Sequence, residues 1–197
     1  MVTGIYQSIA ILAIVCLFYA IDFALISRFE NTRKKEEMKT GRSWDFTIMM
    51  FVVVAVLIAQ PILLPQIGLK TSAAWGFLIQ CIGVLFVLAA VALHVWARFH
   101  LQYFYAERVE VTDHHRVIST GPYALVRHPI IVSFFGFAIG IFLMVPALTT
   151  LLLAVYTFWD FSHAAIAEEA LLSEHLPDYA EYMHRTPRFI PRLVKRD

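Results

Sequence analysis

The chain has 197 residues, 59% hydrophobic and only 16% charged, with a formal net charge of +1 and a mean hydropathy of +0.68. A soluble domain runs about 45–50% apolar with roughly 25% charged residues, so this composition excludes a soluble globular fold and makes lipid the solvent for much of the surface. The length allows one domain, no nucleic-acid partner is expected, and Cys16 and Cys81, both inside apolar runs, exclude a disulfide or cysteine-metal framework.

Crossing a bilayer as helix takes about 20 apolar residues. Five candidate spans follow in chain order: Ile5–Ile26, Phe46–Leu64, Ala74–Ala97, a short Pro129–Val145, and Ala147–Ala167. Helix is the expected state of each, because backbone groups in lipid must bond within their own segment. The first run has no basic stretch before it and no small-residue cleavage site after it, which predicts a span rather than a cleaved signal. The fourth and fifth meet at Met144-Val145-Pro146, too few residues for an ordinary loop, and predict a tight helical hairpin. Gly136 and Gly140 form a small-xxx-small pair in the fourth span, read as close helix packing.

Lys and Arg set the orientation. Arg28, Arg33, Lys34, Lys35, Lys39 and Arg42 lie between the first two spans. Arg98, Arg108, Arg116 and Arg127 precede the fourth, and Arg185, Arg188, Arg192, Lys195 and Arg196 lie in the tail. Only Lys70 falls on the other side. Positive residues stay cytoplasmic, so the N-terminus is expected outside and the C-terminus inside. The expected architecture is all-α, one integral membrane domain over 1–197. Residues 1–73 form two spans with their connectors, and 74–197 form a core with a cytoplasmic C-terminal helix. Trp44, Trp75 and Trp96 sit at predicted span ends, where indoles favour the interface. Asp22, deep in the first span, is costly in lipid and is a candidate for pairing or function, with no partner evident from sequence.

Any water-facing site should come from residues 98–128 and 168–197. Gly121-Pro122 signals a turn. Arg127-His128-Pro129 places two potential cations and a helix-starting proline at the membrane surface. The fourth helix would begin there, and its N-terminal N–H groups can hold a carboxylate. The competing reading is that Arg127 and His128 only mark the interface. Glu168 and Glu169 continue the fifth helical pattern. They are either the first exposed residues beyond the membrane or groups turned back towards a pocket. Leu171, Leu172 and His175 are expected to pack this helix against 98–128, and Pro177 to end it. Tyr179, Tyr182 and Met183 suggest a short amphipathic helix whose role is core packing.

The order His115, Gly121-Pro122-Tyr123, Val126-Arg127-His128-Pro129, Glu168-Glu169 with Leu172, Tyr179, Tyr182, Thr186-Pro187 and Pro191 resembles the isoprenylcysteine carboxyl methyltransferase family. Phospholipid N-methyltransferases share much of it, and the likeness covers roughly residues 94–194. It implies an S-adenosylmethionine-dependent enzyme that releases S-adenosylhomocysteine. It also implies cofactor contacts from His115, Arg116, Val117, Ile118, Tyr123, His128, Pro129, Ile130 and Ile131, with Glu168 closing the site. The family usually carries tyrosine where Ile131 stands and often glycine where Ser133 stands. The prenylcysteine enzymes tend to have arginine where Ala164 stands, which points to a substrate other than prenylcysteine itself.

Methyl transfer from a sulfonium is an in-line displacement that needs no metal. The acceptor is expected to be small or lipid-like. A carboxylate acceptor needs no base, whereas an amine or thiol must lose a proton; His163, Glu169 and His115 are the candidate bases, and Arg127 a candidate anchor for an anionic group. A metal-dependent desaturase would need clustered histidines, and the eight here are scattered. A nicotinamide-dependent reductase of the sterol reductase type and a non-enzymatic membrane scaffold are the alternatives.

Overall fold

A computed structural model describes residues 4–30, 54–60, 62–63, 73–106, 117–176 and 178–192. The connector 31–45, most of the second predicted span, Lys70, His114, His115, Arg116, Pro177 and the tail beyond 192 lie outside the described residues. The described elements are helical: α1 (Ile5–Glu30), α2 (54–60), α3 (Ala73–Ala106), a 3-10 turn (Gly121–Ala124), α4 (Pro129–Met144), α5 (Leu148–His175) and α6 (Tyr179–Arg185). Among the described residues, α1, α3 and α5 are long and apolar enough to cross a membrane, and α4 is a shorter apolar helix. Large apolar side chains cover their outer faces, including Phe23, Leu85, Leu88 and Leu152, each more than half exposed. Such a surface suits lipid and not water.

The helices follow the predicted runs, and two of them run on. α1 continues four residues past Ile26. α3 continues nine residues past the predicted end at Ala97. Neither Gly nor Pro stops it, and crossing into water does not require a helix to end. At about 1.5 Å per residue it is about 51 Å long, well beyond a hydrocarbon core of about 30 Å. It is therefore longer than a span requires, and its C-terminal part serves as a platform for the segment before α4.

The tightest packing joins α3 to α4. A Cβ on Gly140 would lie 2.7 Å from Val87 Cγ2 and 2.9 Å from the Gly83 carbonyl. A Cβ on Gly83 would lie 2.8 Å from the Gly140 carbonyl, and one on Gly136 only 3.3 Å from Ala90 Cβ. Ile11 and Val15 of α1, Leu57 of α2, Val87 of α3 and Ile141 of α4 close the core around this contact.

The hairpin between α4 and α5 is as short as expected, and its carbonyls find partners within the hairpin and on the neighbouring helices. Thr150 Oγ1 donates to the carbonyls of Val145 at 2.6 Å and Ala147 at 2.9 Å. Gln7 from α1 and Gln80 from α3 donate to the Met144 carbonyl at 2.8 and 3.2 Å. In lipid these last-turn acceptors have no water to turn to.

Gly140→Ala is expected to cost about 1–3 kcal/mol through overpacking, and Gly136→Ala less. Thermal unfolding in detergent measures both; equal effects would contradict the closer approach at Gly140.

Candidate active site

The site begins where the chain turns onto the end of α3. Thr120 is extended and Gly121 follows with φ +59°. A Cβ there would be 2.8 Å from the His100 ring, so both the backbone angle and the space require glycine. His100 Nε2 lies 2.7 Å from Thr120 Oγ1, and its ring stacks on Tyr123. Pro122 occupies the second position of the 3-10 turn, and the Tyr123 carbonyl accepts from Tyr182 Oη of α6 at 2.7 Å. The turn is thus held between α3 and α6, and it delivers Arg127-His128-Pro129 to the start of α4. Pro129 is the first residue of that helix, where its missing N–H costs nothing.

Glu169 gathers the rest. Its side chain is 5% exposed. Arg127 reaches Oε1 through Nε at 2.9 Å and through its second terminal nitrogen at 2.8 Å. His128 Nε2 lies 3.0 Å from the same oxygen. Arg188 donates to both oxygens, at 3.0 and 2.6 Å, in a forked pair of the strong bidentate kind. The remaining terminal nitrogen of Arg127 donates to the carbonyls of Met183 and Thr186, at 2.8 and 2.9 Å. The backbone completes the clamp: Arg127 N donates to the Pro187 carbonyl at 2.9 Å and His128 N to the Arg188 carbonyl at 3.3 Å.

Beside this clamp lies a cavity of about 260 Å³, close to the lower end of the range for small-molecule sites. Val117, Ile118, Tyr123, Arg127, His128, Pro129, Ile130, Ile131 and Glu168 line it, with Leu101, Leu172, Leu176 and Tyr179. Glu168, with a side chain 56% exposed, lies 3.5 Å from His128 Nδ1. One imidazole therefore stands between two carboxylates of opposite character, one buried and paired, the other open to the cavity. The first turn of α4 forms another wall, and the N–H groups of a helix's first turn have no intrahelical partners.

Several expectations need correction. Glu169 is no free base, because arginines hold both its oxygens. Arg127 is no open anion anchor, because each of its nitrogens already contacts a protein acceptor. His163 is exposed on α5, its Nδ1 2.7 Å from the Trp159 carbonyl, and it is not among the cavity-lining residues. Leu171 is exposed, so only Leu172 of that pair faces Leu101 across the cavity. Tyr179 is buried as expected but also reaches the cavity wall. Burial and the neighbouring Glu169 push its phenol up to about 12, so it meets a ligand as a neutral hydroxyl. Arg188 was counted only among the positive residues of the tail, and its place in the site was missed. His115 and Arg116 lie outside the described residues.

Fold and site together define a class: a membrane protein, helical in its described elements, with a polar clamp and a cavity where α3, α4, α5 and the C-terminal segment converge. Residues 82–174, just under half of the chain, match the isoprenylcysteine carboxyl methyltransferase (ICMT) family, and in this stretch the chain is ICMT-like. It is 36% identical over 78 residues to the nickel-cobalt-cadmium resistance protein NccN of Alcaligenes xylosoxydans xylosoxydans, covering 39% of this chain and 37% of that protein. To the protein-S-isoprenylcysteine O-methyltransferase of Schizosaccharomyces pombe it is 35% identical over 81 residues, covering 40% and 34%. The Saccharomyces cerevisiae protein of the same name is 20% identical over 185 residues, covering 89% and 75%. The chain thus spans little more than a third of the length of the first two of these relatives.

Glu169→Ala strands Arg127 and His128 in a buried site and is expected to cost about 3–5 kcal/mol. Glu168→Ala, on an exposed carboxylate, should cost below about 1 kcal/mol. Unfolding curves for the two variants in one detergent decide the matter, and similar losses would contradict the clamp.

Proposed function

We propose that this protein transfers a methyl group from S-adenosylmethionine to a small or lipid-like acceptor at the cytoplasmic face of a membrane. The observation that carries this reading is the convergence on one cavity of the Gly-Pro-Tyr turn, the Arg-His-Pro start of α4 and Glu168, residues from 117 to 168 that are far apart in sequence. The ICMT-family match over 82–174 supports methyl transfer over the hydride transfer of a reductase. The names of the two yeast relatives make an isoprenylcysteine-like carboxylate one acceptor class to test; amines and thiols are the others.

The residues present fit such a cofactor. When bound, S-adenosylmethionine supplies an electrophilic methyl on a sulfonium. The open N–H groups at the start of α4 suit its carboxylate. Glu168 is placed to accept hydrogen bonds from its amino or ribose groups, and Ile131, Leu101 and Leu172 exclude water from the path of displacement. Glu169, Arg127 and Arg188 act as positioning residues: they fix His128 and the start of α4 relative to α5. A carboxylate acceptor, already ionised, asks for no base. The proposed frame is one membrane domain of five spans, with 74–197 as its core, the N-terminus outside and the C-terminus cytoplasmic.

Calorimetry on purified, folded protein should show binding of S-adenosylmethionine and S-adenosylhomocysteine; binding of neither would overturn the reading. Glu168→Ala should weaken that binding by about tenfold or more, the loss of a charge-assisted hydrogen bond, while Glu174→Ala changes it little. For the topology, a reporter fused to the C-terminus should read cytoplasmic, and a signal from the opposite compartment would reverse the proposed orientation.

A further inference from the structure

A second polar cluster lies away from the cavity, between α1, α3 and α4. Asp22 of α1 meets two residues of α3 that stand one turn apart, accepting a hydrogen bond from His94 and forming an ion pair with Arg98. His94 Nε2 and Arg98 Nε each lie 2.9 Å from Asp22 Oδ1. The other face of the imidazole meets α4, where Nδ1 is 3.0 Å from Ser133 Oγ. Ser133 Oγ in turn donates to the carbonyl of Ile130 at 2.6 Å. His94 is 1% exposed and Ser133 0%. Ile130 lines the cavity, between Pro129 and Ile131, which line it too.

We infer that Asp22, His94 and Ser133 are positioning residues, forming a relay through which α1 fixes the first turn of α4 and hence the cavity wall. The inference rests on the proposed cofactor reading only for its consequence. The physical steps are local. A serine inside a helix that bonds back to a preceding carbonyl perturbs the turn it reaches. Its hydroxyl takes up that position only while one rotamer is selected, and His94 Nδ1 selects it from the opposite side. His94 is itself oriented by Asp22, because an imidazole is fixed when both nitrogens have partners. Arg98 pairs with the same carboxylate oxygen of Asp22 and balances its charge.

Simple adhesion of α1 accounts poorly for this arrangement. Apolar contacts through Ile11 and Val15, and Gln7 and Ser8 at the other end, already attach the helix. A carboxylate adds nothing to such an interface that a leucine could not, and it carries a desolvation cost. Only the polar chain ends on a residue of the cavity wall. Asp22 also lies outside the family-matching segment, so the relay links a separate part of the chain to the site.

The test uses the full chain in detergent with two readouts. First, hydrogen–deuterium exchange without cofactor is followed at the amides of Val132 and Ser133. Asp22→Ala and Ser133→Ala should both speed exchange there, although Asp22 touches neither residue. Unchanged exchange in Asp22→Ala would overturn the relay. Second, S-adenosylhomocysteine affinity is measured by calorimetry. Each single variant should bind about three- to tenfold more weakly, the size of one hydrogen bond. The double variant should be no weaker than the weaker-binding single, since both act through His94. Ser133→Thr, which keeps the hydroxyl, should restore binding. Multiplying effects, or wild-type affinity in both singles, would overturn the proposal. Should Asp22→Ala fail to fold, Asp22→Asn takes its place in both arms. Wild-type protein that binds no S-adenosylhomocysteine would overturn the cofactor reading, and the exchange arm would still decide the relay.

Discussion

Glu169 is shared by donors from two distant parts of the chain: Arg127 and His128 before α4, and Arg188 near its C-terminal end. Without that carboxylate, two buried or half-buried guanidiniums would face each other with nothing between them. With it, the chain before α4 and the chain after α6 are drawn to one point on α5. The main-chain bonds of Arg127 and His128 to Pro187 and Arg188 follow from the same convergence. The cavity exists because these three stretches are fixed at a set spacing, and its shape is therefore an electrostatic outcome as much as a packing one.

A division of labour between neighbours results. Glu168 and Glu169 are consecutive on a helix, and adjacent helical residues do not face the same way. One goes inward to the arginines and the other looks into the cavity. Their shared partner His128 couples the structural role of one to the ligand-facing position of the other. The platform beneath them is the C-terminal part of α3, where His100 and Leu101 meet the Gly-Pro-Tyr turn and the cavity.

Much of this was legible from residue order. Apolar runs located α1, α3, α4 and α5 because lipid leaves a backbone no alternative to helix. The Gly-Pro-Tyr and Arg-His-Pro elements marked the turn and the start of α4 because glycine and proline constrain the backbone directly. Side-chain partnership was much harder to read. Arg188 looked like one more positive residue of a cytoplasmic tail, although Pro187 and Pro191 on either side hinted at a segment held in place. Asp22 and His94, 72 residues apart, meet only because α1 packs on α3, and no local pattern records which face a uniformly apolar helix presents. Glu169 and Arg127 were picked out correctly as chemically loaded, yet their charges serve each other, a fact that needs three dimensions to see.

The brevity of α4 has its own effect. Sixteen residues make a rod of about 24 Å, shorter than the roughly 30 Å hydrocarbon layer. Its rear end is fastened by Gln7 and Gln80 to α1 and α3, and none of its residues is exposed. Lipid therefore meets the apolar outer faces of α1, α3 and α5, and any mismatch with bilayer thickness, modest in cost for each ångström, falls on those helices first. The helix whose opening turn forms one side of the cavity is sheltered behind them.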